Sequence, residues 1–333
     1  MPAILVRCGA CAPTFAARCN AGSASHQEVS LLRYSKPMPG EFDFINWLRA
    51  RHQPSEFVPI PLGDDLAVLK WPAEDLLLVG VDQVLDGVHF DSTIHSPRSI
   101  GRKVMNRNLS DCAAMACLPA AAVTTAALPR GVGLEYAKEL YLGLRDAADP
   151  FDCVIVGGDT GSWEGKLVLT VTILGRSAGI APIRRTGARA DDNIYVTGPL
   201  GGSILGRHMS FEPRVALARQ LSATGRVTAM IDISDGLGRD LGHVCRESGV
   251  GAMIEADKIP IHEDAITLSR DGRSPLDHAL GDGEDHELLL TGSLEGLNLP
   301  VTRIGRVTAG SEIMLHQDGQ AISLAERGWE HRL

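Results

Sequence analysis

Apolar positions in this chain fall into short runs separated by turns rich in glycine and aspartate. After an amphipathic helix through Ile45, Trp47 and Leu48, the run at 76–81 reads as a buried strand. Residues 100–116 have helical spacing, 121–128 read as a strand and 134–148 as a second helix. Strands follow at 154–156 and 167–174. The segment 180–189 then breaks the pattern with a proline, a glycine and three arginines, as an inter-domain connector would. Beyond it come a strand at 194–197, a glycine-rich turn at 198–202 leading to a helix, and a helix at 239–248. A strand at 288–291 and strands around Ile304 and Ile313 complete the series. Alternating strands and helices predict an α/β (α+β) fold, and no fixed-period repeat is visible.

Composition changes this picture little. The chain has 333 residues, 44% hydrophobic and 22% charged, which is ordinary for a globular protein and suggests two domains. No run approaches the roughly 18 apolar residues that cross a bilayer. Charge is more telling. The formal net charge is −9, yet residues 1–37 carry Arg7, Arg18, Arg33 and Lys36 against Glu28 alone, so the rest stands at −12. That acidic body argues against a nucleic-acid partner. The first 37 residues are expected to be a disordered or non-native extension, and the protein cytoplasmic. The seven cysteines lack framework spacing; Cys112, Cys117 and Cys153 lie in apolar stretches and read as small core residues.

Candidate chemistry lies in the aspartates. They recur beside small residues at expected strand ends: Gly63-Asp64-Asp65, Val81-Asp82, Ser110-Asp111, Gly157-Gly158-Asp159, Asp232-Ile233-Ser234-Asp235-Gly236 and Gly283-Glu284-Asp285. Taken singly, a loop aspartate most often caps a helix or closes an Asx-turn. Several aimed at one cleft would repel one another unless hard divalent cations bound them. Mg²⁺ takes oxygen ligands and bridges carboxylates to phosphates. In the 232–236 segment, Asp232 and Ser234 share one side of the strand and Asp235 opens the next helix. The chain lacks a G-x-x-x-x-G-K-[ST] loop, the protein-kinase signatures, H-E-x-x-H and G-x-S-x-G. The run Asn106-Arg107-Asn108 is expected to cover a helix surface.

Taken in order, these segments resemble the thiamine-monophosphate kinase family of the aminoimidazole-ribotide-synthetase-like superfamily, from Met38 to His331. Besides the acidic motifs, the carriers are Asp86-Gly87-Val88-His89-Phe90, Asn108-Leu109-Ser110-Asp111, Arg185-Thr186-Gly187-Ala188 and the closing Gly328-Trp329-Glu330-His331. The resemblance implies an N-terminal ATP- and Mg²⁺-binding domain at 38–178, whose sheet pairs into a barrel in a homodimer, and a C-terminal α+β domain at 179–333. It implies transfer of a phosphoryl group from ATP to thiamine phosphate. Mg²⁺ ligands would fall on Asp65, Asp82, Asp111, Asp159, Asp232 and Asp235, with Asp65, Asp232 and Asp235 closest to the chemistry. ATP contacts would be Gly158, Asp159, Arg185 and Ser234; thiamine phosphate contacts would be His89, Glu284 and Trp329. Neither a nucleic acid nor a membrane is implied.

Departures from the family pattern occur at Val81, where a threonine is usual, at Met115-Ala116-Cys117, and at Asp282 and His286. Asp282 is expected to add negative charge beside the substrate motif. Two other readings remain open at the sequence level: another ATP-using synthetase of the superfamily, or a nucleotide-binding scaffold without catalysis.

Overall fold

The computed structural model of the protein describes residues 41–51, 55–61 and 66–324. In chain order the elements are α1 (Glu41–Arg49), β1 (Leu77–Leu85), α2 (Pro97–Ala114), β2 (Leu118–Pro129), α3 (Gly133–Ala148), β3 (Val154–Trp163) and β4 (Val168–Arg176). Then come β5 (Asn193–Val196), α4 (Val215–Ala223), β6 (Val227–Asp232), α5 (Leu237–Ser248), β7 (Gly251–Glu255), α6 (Glu263–Leu268) and α7 (Pro275–Gly281). The last strands are β8 (Leu288–Gly292), β9 (Thr302–Thr308), β10 (Ile313–Gln317) and β11 (Gln320–Ser323).

Two sheets result. The first runs β1-β4-β2-β3, antiparallel except for the parallel β2/β3 pair. The second runs β11-β10-β7-β9-β5-β8-β6, with β7/β10 as its parallel pair. The core of the first lies between its inner face and helices α2 and α3, built from Val84, Ile100, Val104, Leu140, Leu144, Val171 and Ile173. Ala113, in the last turn of α2, and Ala116, just past it, instead join Tyr195, Val215, Leu221 and Leu288 in a cluster of the second half. One helix therefore serves both halves.

Two glycines explain why α2 sits so closely on α3. A Cβ on Gly101 would lie 2.1 Å from the Leu140 carbonyl oxygen, and one on Gly143 would lie 1.9 Å from that of Arg98. The helices meet backbone to backbone, where no side chain larger than hydrogen fits. At its start, α2 is capped by the Ser96 hydroxyl, which accepts the Ser99 N–H, and Pro97 opens the first turn.

Three expectations are corrected. The 76–81 run is not a buried strand: β1 is an edge strand whose Leu77, Val79 and Val81 point outward and are more than half exposed, while Leu78, Gly80 and Val84 face in. Consequently Asp82 lies within a strand, not at its end. The strand at 154–156 extends to Trp163, so Gly157-Gly158-Asp159 is strand as well. The helix expected soon after Gly202 is two short 3-10 turns, Ser203–Leu205 and Arg207–Met209. Among the described residues, no helix is long and apolar enough to cross a membrane.

Candidate active site

Helix α2 supplies one wall of the site. Lys103, Arg107 and Asp111 are four residues apart and so fall on one face. Lys103 Nζ lies 2.6 Å from Glu284 Oε2, and Arg107 reaches Glu284 Oε1 at 2.9 Å and Asp82 Oδ2 at 3.0 Å. One residue before Asp111, the Ser110 hydroxyl donates to Asp232 Oδ2 at 2.7 Å. The run 106–108 thus faces inward, against expectation: Asn106 and Asn108 are buried and bond the Phe211 and Val104 carbonyls.

The second wall is the loop between β6 and α5. Asp232 ends β6, only 4% exposed, with His286 Nδ1 at 3.4 Å from Oδ2. After it, the chain wraps around Asp240 of α5, whose Oδ2 accepts the backbone N–H groups of Ser234, Asp235 and Gly236, each at 3.1 Å. Ligand atoms of Asp235, Asp240 and His243 lie within 4.8 Å of one another.

The third wall is the 283–286 segment. Glu284 and His286 hold left-handed φ angles of 50° and 52°, a strain of about 1 kcal/mol or more at non-glycine residues. Neighbouring backbone fixes them: the N–H groups of Glu284 and His286 donate to the Ser234 and Ile233 carbonyls at 2.8 Å. Asp285 between them is buried under the Gly201 N–H and Arg207. Phe211 stacks on His286 with centroids 3.9 Å apart. Together these segments enclose a cavity of about 320 Å³ whose lining includes His89, Arg107, Ser234, Asp235, Asp282 and Glu284.

Electrostatics show how crowded this corner is. Burial, then the nearby carboxylates of Asp232 and Asp82, push the Asp111 carboxyl up to about 8, against the pull of Arg107 and Arg185. Burial and its neighbours Asp232 and Asp235 carry Asp240 up to about 8 as well. Burial would also raise Asp232, but His286, Ser110 and Arg107 outweigh it and hold that carboxyl below its ordinary value. Lys103 is pulled down to about 8 by burial despite its bond to Glu284.

The comparisons with known proteins fit this picture. Residues 63–177 match the family model of the AIR synthase related protein N-terminal domain, and 164–317 match that of its C-terminal domain. A thiamine-monophosphate kinase of Rhodopirellula baltica is 42% identical over 283 residues, covering 80% of this chain and 89% of the relative. The chain belongs to the thiamine-monophosphate kinase family. A crystal structure of such a kinase from Stenotrophomonas maltophilia has a TM-score of 0.73 at 33% identity, covering 85% of this chain and 98% of that one. Another, AaThiL complexed with AMPPCP and TMP, has a TM-score of 0.71 at 28% identity and covers 90% and 100%.

The structure brings some of the family-implied residues together and keeps others apart. Asp82, Asp111 and Asp232 share one electrostatic neighbourhood, with Asp235 beside them across Asp240. Arg185, in the connector, acts on both Asp111 and His243. His89, Ser234 and Glu284 line the common cavity. The Nδ1 atom of His89 accepts the Leu85 N–H at 3.1 Å. Gly158 and Asp159, by contrast, lie on β3, three strands from β1 and so about 14 Å away across the sheet. They line a different cavity, with Phe44, Leu48 and Tyr141. Asp65 and Trp329 lie outside the described residues. Asp282 does not add free charge: it accepts the Gly202 N–H and bonds Arg273 and His278. Sequence reasoning missed Lys103, Arg107 and Asp240. The four-residue spacing back from Asp111 and the acidic first turn of α5 are the signals that point to them.

Proposed function

We propose that this chain phosphorylates thiamine phosphate to thiamine diphosphate, with ATP as donor, by direct in-line transfer at a site holding several Mg²⁺ ions. The observation that carries the reading is the gathering of carboxylates along α2: Asp82 bonds Arg107, Asp232 bonds Ser110, and burial together with both carboxylates raises the Asp111 carboxyl between them. An all-oxygen donor set under that strain suits a hard divalent cation. The kinases named above supply the substrate class, since one is complexed with AMPPCP and TMP.

In this reading Asp82, Asp111, Asp232 and Asp235 hold the ions together with Asp65, and Asp159, at the far edge of the first sheet, would hold an ion apart from that group. Once bound, the ions supply Lewis acidity and neutralise phosphate charge. The chain's own residues do the rest. Arg185, Ser234, Gly158 and Asp159 bind ATP; His89, Glu284 and Trp329 orient thiamine phosphate. The attacking oxygen belongs to an already ionised phosphate, so no residue need remove a proton from it, and positioning dominates. Incubating the protein with ATP, Mg²⁺ and thiamine phosphate should yield thiamine diphosphate, read by fluorescence after oxidation. ATP binding without product would sink the kinase reading.

The crowding predicts a pH dependence. Folded Asp111 and Asp240 keep protons that the unfolded chain gives up near the ordinary value of 3.8. Their contribution to stability is therefore complete below that value and is lost as pH climbs through about 8. With chelator present, the melting temperature should fall across this range. Mg²⁺ should restore it most at the upper end, because the cation replaces the proton. Asp111→Asn should flatten both trends; unaltered slopes would remove Asp111 from the metal set.

The homodimer is proposed on the outward face of β1, where Leu77, Val79 and Val81 stand exposed in line. Val81→Asp is expected to convert dimer to monomer in sedimentation. An unchanged dimer would exclude that face.

A further inference from the structure

We propose that Arg107 grips the phosphate group of the acceptor, and so makes the site prefer thiamine phosphate to unphosphorylated thiamine. The inference rests on the kinase reading and extends it to a residue that no motif assigns.

Position comes first. The Arg107 side chain is 15% exposed and lines the cavity beside His89 and Glu284, the two described residues proposed to orient the acceptor. On the other side it touches Asp82, proposed to hold metal. It therefore spans the seam between the acceptor and the phosphoryl-transfer centre.

Available donors come next. A guanidinium carries five N–H groups in one plane. Nε donates to Asp82 at 3.0 Å and Nη1 to Glu284 at 2.9 Å. These two bonds fix the plane and leave little rotamer entropy for a ligand to remove. Among the described residues no acceptor is bonded to Nη2. The other cations nearby are engaged differently. Arg273, also lining the cavity, donates from its two terminal nitrogens to Asp282 and to the Asp277 carbonyl. Lys103 is fully buried behind Glu284.

A phosphate entering this cavity meets Asp235, Asp282 and Glu284 in the lining, with Asp82 and Asp232 behind. A pre-oriented guanidinium offers it a charge-assisted bond in a half-buried setting, where such bonds are shorter and stronger than neutral ones. Thiamine lacks the phosphate and gains nothing from Arg107, so the residue discriminates between them.

The test is calorimetric binding of thiamine phosphate and of thiamine to the full chain with Mg²⁺ and a non-transferable ATP analogue. Wild-type protein should bind thiamine phosphate the more tightly. Arg107→Gln should weaken thiamine phosphate by about 30-fold, the worth of one hydrogen bond to a charged group, and leave thiamine within about twofold. Equal weakening of both ligands would overturn the proposal, because that marks a general loss of Glu284 placement. An unchanged preference would overturn it too. Should Arg107→Gln fail to fold, Arg107→Lys keeps a cation for both carboxylates and removes the fork. It should fold and lose about tenfold for thiamine phosphate alone, and undiminished affinity would again be decisive against. Wild-type protein that binds thiamine phosphate preferentially but forms no product once ATP replaces the analogue would refute the kinase reading and leave the role of Arg107 standing. Wild-type protein with no preference refutes Arg107 itself.

Discussion

Asp232→Asn is expected to lower kcat by about a thousandfold or more while shifting the melting temperature by only a few degrees. The substitution keeps the shape of a residue 4% exposed and keeps an oxygen for the Ser110 hydroxyl, so packing is preserved. What it removes is a buried charge that helps push Asp111 upward. The variant should therefore titrate Asp111 at lower pH and resist chelator better than wild type. Activity suffers because the lost charge is the one proposed to hold metal against the phosphates. Steady-state kinetics and thermal melts on the same preparation decide the matter. A fall in stability matching the fall in activity would make Asp232 a structural residue.

Gly143→Ala should cost about 2 kcal/mol or more, measured as a lowered urea midpoint at unchanged slope. In an exposed helix, alanine for glycine gains about 1 kcal/mol. Here that gain loses to sterics, since the new Cβ would lie 1.9 Å from the Arg98 carbonyl oxygen. Backbone cannot give way as a flexible side chain would, so α3 must slide off α2. Gly101→Ala is the mirror image, with the Leu140 oxygen at 2.1 Å. Having already parted the helices, the first substitution should make the second cheaper, so the two costs will not add. Because α2 carries Lys103, Arg107 and Asp111, activity should fall along with stability. A stable, active Gly143→Ala protein would mean the helices do not touch there.

Much of this was legible along the chain, and the part that was not has physical reasons. Short apolar runs separated by Gly and Asp located most strands and helices within a few residues, because local periodicity is a local property. The grouping of Asp82, Asp111 and Asp232 was open to inference from residue type, since carboxylates beside small residues point to a shared cation. Exposure of β1 was not legible: an edge strand and a central strand can share one apolar run, and strand order decides between them. Nor was the role of Arg107, taken for a surface residue because polar runs on helices usually are. Only the 181-residue and 177-residue separations across which Lys103 and Arg107 meet Glu284 reveal the pairing. The same limit hid a distance: β3 carries Asp159 to the far edge of the first sheet, three strands from Asp82. Asp282 looked like surplus charge for want of Arg273 and His278.

The loop around Asp240 has a wider consequence. Three successive amides, those of Ser234, Asp235 and Gly236, all turn inward to a single carboxylate oxygen. In a P-loop the equivalent amides face outward and wrap a nucleotide's phosphates. Here the loop bearing the strongest acidic motif has no such amides to offer, so its grip on phosphate must come from ions and side-chain charge. A grip of that kind is largely ionic, and it should weaken as salt is added, the more so where the charges are open to solvent.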